Sequence, residues 1–430
     1  MTTPVQARNC STEKVGSNTV KGSKRICIPI DQAAYEQMID NKSAFRQLLD
    51  EYIEQYPEIF PSKMGQGYKL HGTLPQSKKM PEVRLRRIQL KAKDDEGQRQ
   101  VFTIAPCFVL PYMTGYADQV EKALFLYEKF GVAFWGLTYV FEHNDMYWYR
   151  LTQNLGRNSI VGTTIKDPDK LPEHLLADEK HTDLNGQKAY IALTVAQDCV
   201  LGASMATAAD EKRLTEAYAH FKAETQHLKP DYQPKTVNTD GWAATALAWM
   251  VLFPTIVIIR CFLHAFIKIR ACCKRMKHDF GEIQTRVWEI YHAPNPLAFM
   301  KNVAEFKTWA VLSLPQGTGL NAILKLCAKT PVFIKTYAYP DAYRTSNMID
   351  RHMQPLARFL YNSNDFNGHL MSAERSVRAW AISHNFLPYC PRAQIGREFK
   401  SPAHKLNGFV YRDNWLENLL VSASMRGYPI

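Results

Sequence analysis

Lys235-Thr236-Val237-Asn238-Thr239-Asp240 is the stretch on which the fold turns. It reads as a short strand ending in an acid, and a hydrophobic helix-then-strand pattern follows it as far as Cys261-Phe262-Leu263-His264. An acid at a strand tip, flanked by Asn and Thr, adds little to packing but is well placed to hold a metal ion. A second acid, Asp178, ends a similar apolar run in His174-Leu175-Leu176-Ala177-Asp178-Glu179-Lys180-His181. A third, Asp350, lies in Ser346-Asn347-Met348-Ile349-Asp350-Arg351.

Outward from that stretch, His174–Ala177, Ala189–Val195 and Val200–Ala206 read as three consecutive strands, with Asn185-Gly186 as a hairpin turn. A helix is predicted over 211–228, a strand over 235–239, a helix over 241–253 and a strand over 255–260. Three strands, helix, strand, helix, strand is the order of the ribonuclease-H fold. The expected class is therefore α/β, a mixed sheet with acids at the ends of its first and fourth strands. Only helical patterns fill about 262–345, which reads as an insertion before Asp350 at the start of another helix.

Composition bounds the function classes. The chain has 430 residues, 46% of them hydrophobic, and a net charge of +12, enough for a large core and far from a disordered tail. The positive excess points to a polyanionic partner, nucleic acid or an acidic membrane surface. Nine cysteines, odd in number and irregularly spaced, argue against a disulfide scaffold. Residues 1–25 are polar and aperiodic, so a disordered segment without a secretory leader is expected, and with it a cytoplasmic, nucleoid-associated protein. Trp242–Ile259 carries no charge, but Pro254, Thr245, Thr255 and the β-branched run after the proline favour a buried helix and strand over a membrane anchor.

Residues 26–165 are expected to form an N-terminal DNA-binding region. Arg84, Arg86 and Arg87 interleave with apolar residues from Val83 to Lys91, as in an edge strand or arm whose charged face is either solvated or set against phosphates. Helices over 118–130, 134–141 and 146–155, the last capped by Asp145, give a helix-turn-helix outline. Arg150, Gln153, Asn154 and Arg157 would then reach phosphates or base edges, unless the segment is a plain helical subdomain with an aromatic core. Residues 391–430 read as a basic C-terminal tail.

Phosphodiester chemistry suits the three acids. Mg2+ (or Mn2+) takes hard oxygen ligands and needs only one or two carboxylates besides substrate phosphates. Asp178, Asp240 and Asp350 are the candidate catalytic and metal-binding set, with Glu374 in Ser372-Ala373-Glu374-Arg375 as the alternative third acid. Either helical acid could instead serve only the macrodipole. Cys261 and His264 read either as a zinc pair with Cys272 and Cys273 or as ordinary packing groups at a strand-to-helix junction.

The order Asp178, Asp240, Cys261-x-x-His264, helical insertion, Asn347-x-x-Asp350-Arg351 resembles the DDE transposases of bacterial insertion sequences, most closely the Mutator-like branch, where C-x-x-H follows the second acid. The segment Asn347–Asn385 is also similar to families whose third acid lies in an N-x-x-E-R helix. The resemblance covers about 172–390, and Asp350 departs from it by replacing the usual Glu. It implies metal-dependent cleavage and strand transfer of transposon-end DNA by a homo-oligomer on double-stranded DNA, with no stable membrane association, and for Cys261 and His264 a role in positioning the active site or the scissile strand. A non-catalytic DNA-binding descendant of such an enzyme is the main alternative, and a membrane-anchored protein the remote one.

Overall fold

The computed structural model describes residues 23–428 apart from 275, 277 and 395–397. Residues 1–22 of the expected disordered segment lie outside the described residues, whereas Arg25 already begins a strand.

The first unit contains β1 (Arg25–Ile28), α1 (Gln32–Met38), α2 (Lys42–Gln55), β2 (Tyr68–Thr73), β3 (Arg86–Lys93) and β4 (Arg99–Pro106), with a four-stranded sheet in the order β1-β4-β3-β2. The Asn41 side chain accepts from the Ser43 and Ala44 N–H groups and starts α2, which buries Phe45 and Leu49 one turn apart. The basic stretch is β3, and β3 is interior rather than an edge. Period two puts Arg86 on the same face as Ile88 and Leu90, so it points inward. It is only 4% exposed, donates to the Ile39 carbonyl and lies 5.3 Å from the Phe45 ring centre.

Four helices follow: α3 (Ala117–Phe130), α4 (Phe134–Phe141), α5 (Asp145–Leu155) and α6 (Ile160–Thr164). The cap of α5 is Asn144, which accepts the Tyr147 N–H at 2.8 Å, not Asp145.

The second sheet is built from β5 (His174–Leu184), β6 (Gln187–Ala196), β7 (Cys199–Ala206), α7 (Glu211–Leu228), β8 (Thr236–Thr239), α8 (Ala243–Leu252) and β9 (Val257–Arg260). Its order is β7-β6-β5-β8-β9, antiparallel across β5, β6 and β7 and parallel across β5, β8 and β9. Asn185 and Gly186, at φ 54° and 71°, make the expected hairpin turn. Strand β5 runs seven residues past the predicted Ala177, because its polar second half stays paired with β6 as far as Leu184. The uncharged run 242–259 is broken between α8 and β9. Among the described residues no helix is long and apolar enough to cross a membrane.

A helical block follows: α9 (Phe262–Cys273), α10 (Phe280–Tyr291), α11 (Pro296–Ser313), α12 (Thr318–Ala328) and α13 (Thr330–Phe333). It has its own core, including Ile269, Val287, Phe306 and Ile323. The chain ends in α14 (Asn347–Ser363), α15 (Leu370–Phe386), α16 (Pro391–Gln394), α17 (Pro402–Asn407) and α18 (Trp415–Ser422).

The two faces of the second sheet belong to different cores. Leu175, Ala177, Ala192 and Leu201 pack with Tyr218, Phe221 and Trp249 of α7 and α8. Leu176, Ile191, Leu193 and Val200 instead join a core shared by α14, α15, α18 and the first sheet. The 26–165 region is therefore continuous with the rest, and the C-terminal segment is no loose tail. Leu416, Leu419 and Val421 are fully buried, and Ser424 Oγ accepts the Cys27 N–H at 3.1 Å while donating to the Ile59 carbonyl at 2.7 Å.

Candidate active site

Strand register brings the first two acids side by side. Leu176 of β5 pairs with Asn238 of the parallel strand β8, so continuing that register by two residues sets Asp178 opposite Asp240. Asp178 is thus in mid-strand, not at a strand end as its sequence suggested, while β8 stops at Thr239 and leaves Asp240 at its tip. Side chains alternate across a sheet, which sends Asp178 to the Leu176 face, the face covered by α14, and Glu179 to the opposite one. Gly241 turns the chain at φ 97°, and Asp240 Oδ1 accepts the Trp242 N–H at 2.7 Å. A Cβ on Gly241 would lie 3.3 Å from Arg260 Nη1, so a guanidinium stands over the turn that presents Asp240.

The third acid is delivered through a chain of hydrogen bonds from the same strand tip. The Cys261 N–H donates to the Thr239 carbonyl at 2.9 Å. Cys261 Sγ accepts the N–H of buried Ser346 at 3.2 Å and lies 3.4 Å from its Oγ. Ser346 Oγ in turn donates to Asp350 Oδ2 at 2.9 Å, in the first turn of α14. His264, in the first turn of α9, interacts with Cys261, and its buried Nδ1 has no well-aligned hydrogen-bond partner among the described residues.

Charge repulsion reveals the same proximity. Burial pushes the Asp178 carboxyl up to about 6, with Asp240 and Asp350 adding to the rise and the Glu179 N–H and His264 opposing it. His264 is raised by its neighbour Cys261, against burial, and further by Asp178 and Asp240. Burial alone would raise the Cys261 thiol, but His264 and the Ser346 hydroxyl outweigh it and leave the thiol lowered. Three acids and one imidazole therefore share one electrostatic neighbourhood. Across the sheet, Glu179 accepts from Tyr218 and Thr245, each at 2.8 Å, and burial lifts it to about 7.

Among the described residues, no three His, Cys, Asp or Glu side chains close into a ready-made cation cage. The donors nonetheless suit magnesium, which is satisfied by a carboxylate pair with water and phosphate oxygens filling its remaining positions. Half-buried Asp178, its carboxyl raised beside Asp240, marks a site short of positive charge.

Other expected residues fall elsewhere. Glu374 is on α15 at the far edge strand, where it accepts the Met205 N–H and pairs with His220 Nδ1 at 3.3 Å. Asn347 and Arg351 are exposed, and Arg351 Nε donates to the Asn347 carbonyl at 3.3 Å. Cys273 is buried in the helical block while Cys272 is exposed. Arg84 pairs with Asp40, Arg86 is buried and Arg87 half-buried. Gln153 is 7% exposed and donates to the Ser372 carbonyl and Ser376 Oγ at 3.0 and 2.8 Å, so it ties α5 to α15 and cannot read a base edge. Arg150 is exposed and Arg157 half-buried. Sequence reading missed Ser346 and Arg260: neither belongs to a motif, and only the folded chain puts them beside the acids. The chain matches no protein-family model and no curated protein.

Proposed function

We propose that this protein is a divalent-metal-dependent polynucleotidyl transferase of the DDE transposase kind, which cuts and joins double-stranded DNA as an oligomer. One observation carries the reading: Asp178 and Asp240 meet on neighbouring parallel strands, on the face where α14 brings Asp350. The strand order β7-β6-β5-β8-β9 supports a ribonuclease-H-like core, with α9–α13 as the insertion before the third acid. The three-helix segment α3–α5 is the proposed helix-turn-helix, with Arg150 and Arg157 as its contacts to DNA.

Asp178, Asp240 and Asp350 would hold Mg2+ or Mn2+. When bound, the metal supplies the positive charge that neutralises phosphate and activates an oxygen nucleophile. The chain's own groups do the rest. Ser346 holds Oδ2 of Asp350, and Oδ1 would be left to the metal. His264 keeps its proton toward neutral pH beside Asp178 and Asp240, where a departing 3′ oxygen needs one. Arg260, above the Asp240 turn, attracts the phosphate.

The test is Asp240→Asn, which keeps the shape and one acceptor but removes the charge. Mg2+- or Mn2+-dependent nicking of duplex DNA is lost, with duplex affinity and thermal midpoint retained. Equal nicking by wild type and variant would instead assign the chain to non-catalytic DNA binding.

A further inference from the structure

Two stretches of the chain carry no acid at all. Neither 241–278 nor 306–340 contains an Asp or Glu, yet both carry several basic residues. The fold brings them together. Helix α9 belongs to the first stretch, α12 and α13 to the second, and α12 and α13 run back along α9. At one end a Cβ on Gly319, in the first turn of α12, would lie 3.0 Å from Cys273 Sγ at the end of α9. At the other, the ring centres of Phe262 and Phe333 stand 5.2 Å apart. The apolar sides, with Ile269, Cys273, Ile323 and Leu326, meet in the core of the helical block. The helical period leaves the cations outside: Lys268, Lys325 and Lys335 are exposed and Lys329 is half-buried.

These cations form one group. Lys325 and Lys329 lie a turn apart, about 6 Å along the helix. Burial lowers Lys329, and the charges of Arg260, Lys268 and Lys325 lower it further. Lys335 lines one groove with Val332 and Arg260, so the group reaches the guanidinium that stands over the Asp240 turn. Ion pairs of the helical block lie elsewhere, Arg286 with Glu282 on α10 and Lys301 with Glu305 on α11. Among the described residues no carboxylate pairs with Lys268, Lys325, Lys329 or Lys335. The negative end of the α12 dipole accounts for Lys325 and Lys329. It does not account for Lys268 on α9 or Lys335 beyond α13.

We infer that Lys268, Lys325, Lys329 and Lys335 form a basic track on the helical block that holds the phosphate backbone of duplex DNA leading away from the cleavage point. The inference rests on the proposed DNA substrate. Lysines are flexible point charges, suited to backbone phosphates rather than to base edges. Successive lysines on one helix stripe can meet successive phosphates of one strand. The track begins beside Arg260, so a duplex whose scissile phosphate lies at the acids continues onto the helical block. An anionic membrane fits less well. A helix lying on lipid needs an apolar face to bury there, and α9 and α12 commit theirs to the core.

Fluorescence anisotropy of a labelled random-sequence duplex, titrated at several NaCl concentrations, tests the track. Lys268→Gln/Lys325→Gln/Lys335→Gln weakens binding for every sequence alike and lowers the salt slope by roughly 2–3, the value for as many phosphate contacts. Arg at the same three positions keeps the slope, which separates lost charge from a disturbed helix face. Lys42→Gln/Lys212→Gln/Lys301→Gln removes equal charge elsewhere and leaves the slope in place; an equal drop there overturns the track. So does an unchanged slope in a Lys268/Lys325/Lys335 Gln triple that keeps the wild-type thermal midpoint. Nicking that depends on Asp240 would then leave the enzyme reading standing on its own. If that triple unfolds, Lys325→Gln/Lys335→Gln decides by the same slope. Lost binding to phosphatidylserine vesicles with an unchanged duplex slope assigns the face to a membrane instead. A lowered slope, with wild type unable to nick, keeps the track and removes the enzyme.

Discussion

Asp350 and Glu374 occupy comparable positions, each in the opening turns of a long helix in the last third of the chain, yet the protein treats them in opposite ways. Glu374 is already neutralised: burial would raise it, but His220, Arg378 and the Met205 N–H hold it below the usual carboxylate range. Asp350 receives one hydroxyl, from Ser346, and stands beside Asp178, with Asp240 and the single imidazole of His264 in the same neighbourhood. A carboxylate with its counter-charge built in serves the fold. One held by a neutral hydroxyl, with two further acids and a single imidazole nearby, is left with attraction for more positive charge than the chain supplies.

The sharpest way to break this contrast is to exchange each carboxylate for its amide. Asp350→Asn should cut single-turnover nicking on the order of 10²–10³-fold, while Glu374→Gln leaves it within about threefold and lowers stability by about 1 kcal/mol. Abolished nicking in a well-folded Glu374→Gln protein would reverse the two roles. Next in size is the hydrogen-bond chain behind Asp350. Ser346→Ala and Cys261→Ala should each weaken Mn2+ affinity or rate by about 10–100-fold, with duplex affinity unchanged. Wild-type behaviour of both variants would reduce Cys261 to a packing group.

Acidity separates the sites further. Asp178 has a folded value near 6 against 3.8 unfolded, so the folded state binds its proton more tightly. Metal-free stability should then fall as pH rises from about 4 to 6 and stay lowered above. Asp178→Asn should gain about 1–2 kcal/mol at pH 7, after discounting for partial exposure, and lose that gain below about pH 4. Urea melts across that range check it, and a variant less stable than wild type at pH 7 contradicts it. The smallest effect belongs to His220→Gln, which removes a cation from Glu374. Its lowered carboxyl contributes stability above the unfolded value of 4.5 that is lost as pH falls through the folded one. The variant should lose roughly 1 kcal/mol near neutrality and flatten that acid limb, with nicking untouched.

The order of strands and helices from 174 to 260 was legible, because apolar spacing switches between periods of two and 3.6 and Asn185-Gly186 marks its own turn. The polar half of β5 was not: Glu179 to Asp183 looks like a loop until β6 pairs with it and Thr182 Oγ1 donates to Asp365 at 2.8 Å. In β3 the alternation was visible but its sense was not, since an inward arginine looks like an outward one until Ile39 offers its carbonyl. The first two acids could be found from their runs. Ser346 could not, for a buried serine leaves no periodic trace, and 85 residues separate it from Cys261.

The interlock of Ser424 with Cys27 and Ile59 gives the molecule a timetable. On the ribosome β1 is made before the second sheet and waits, its Cys27 amide not yet met by Ser424, while the sheet bearing Asp178 and Asp240 is synthesised in full. Only when the segment after α18 emerges does Ser424 reach back and close the circle. A nascent chain therefore completes β1 with a residue made 397 positions later, and a stall before position 424 leaves that strand unfinished although its sheet has long been synthesised.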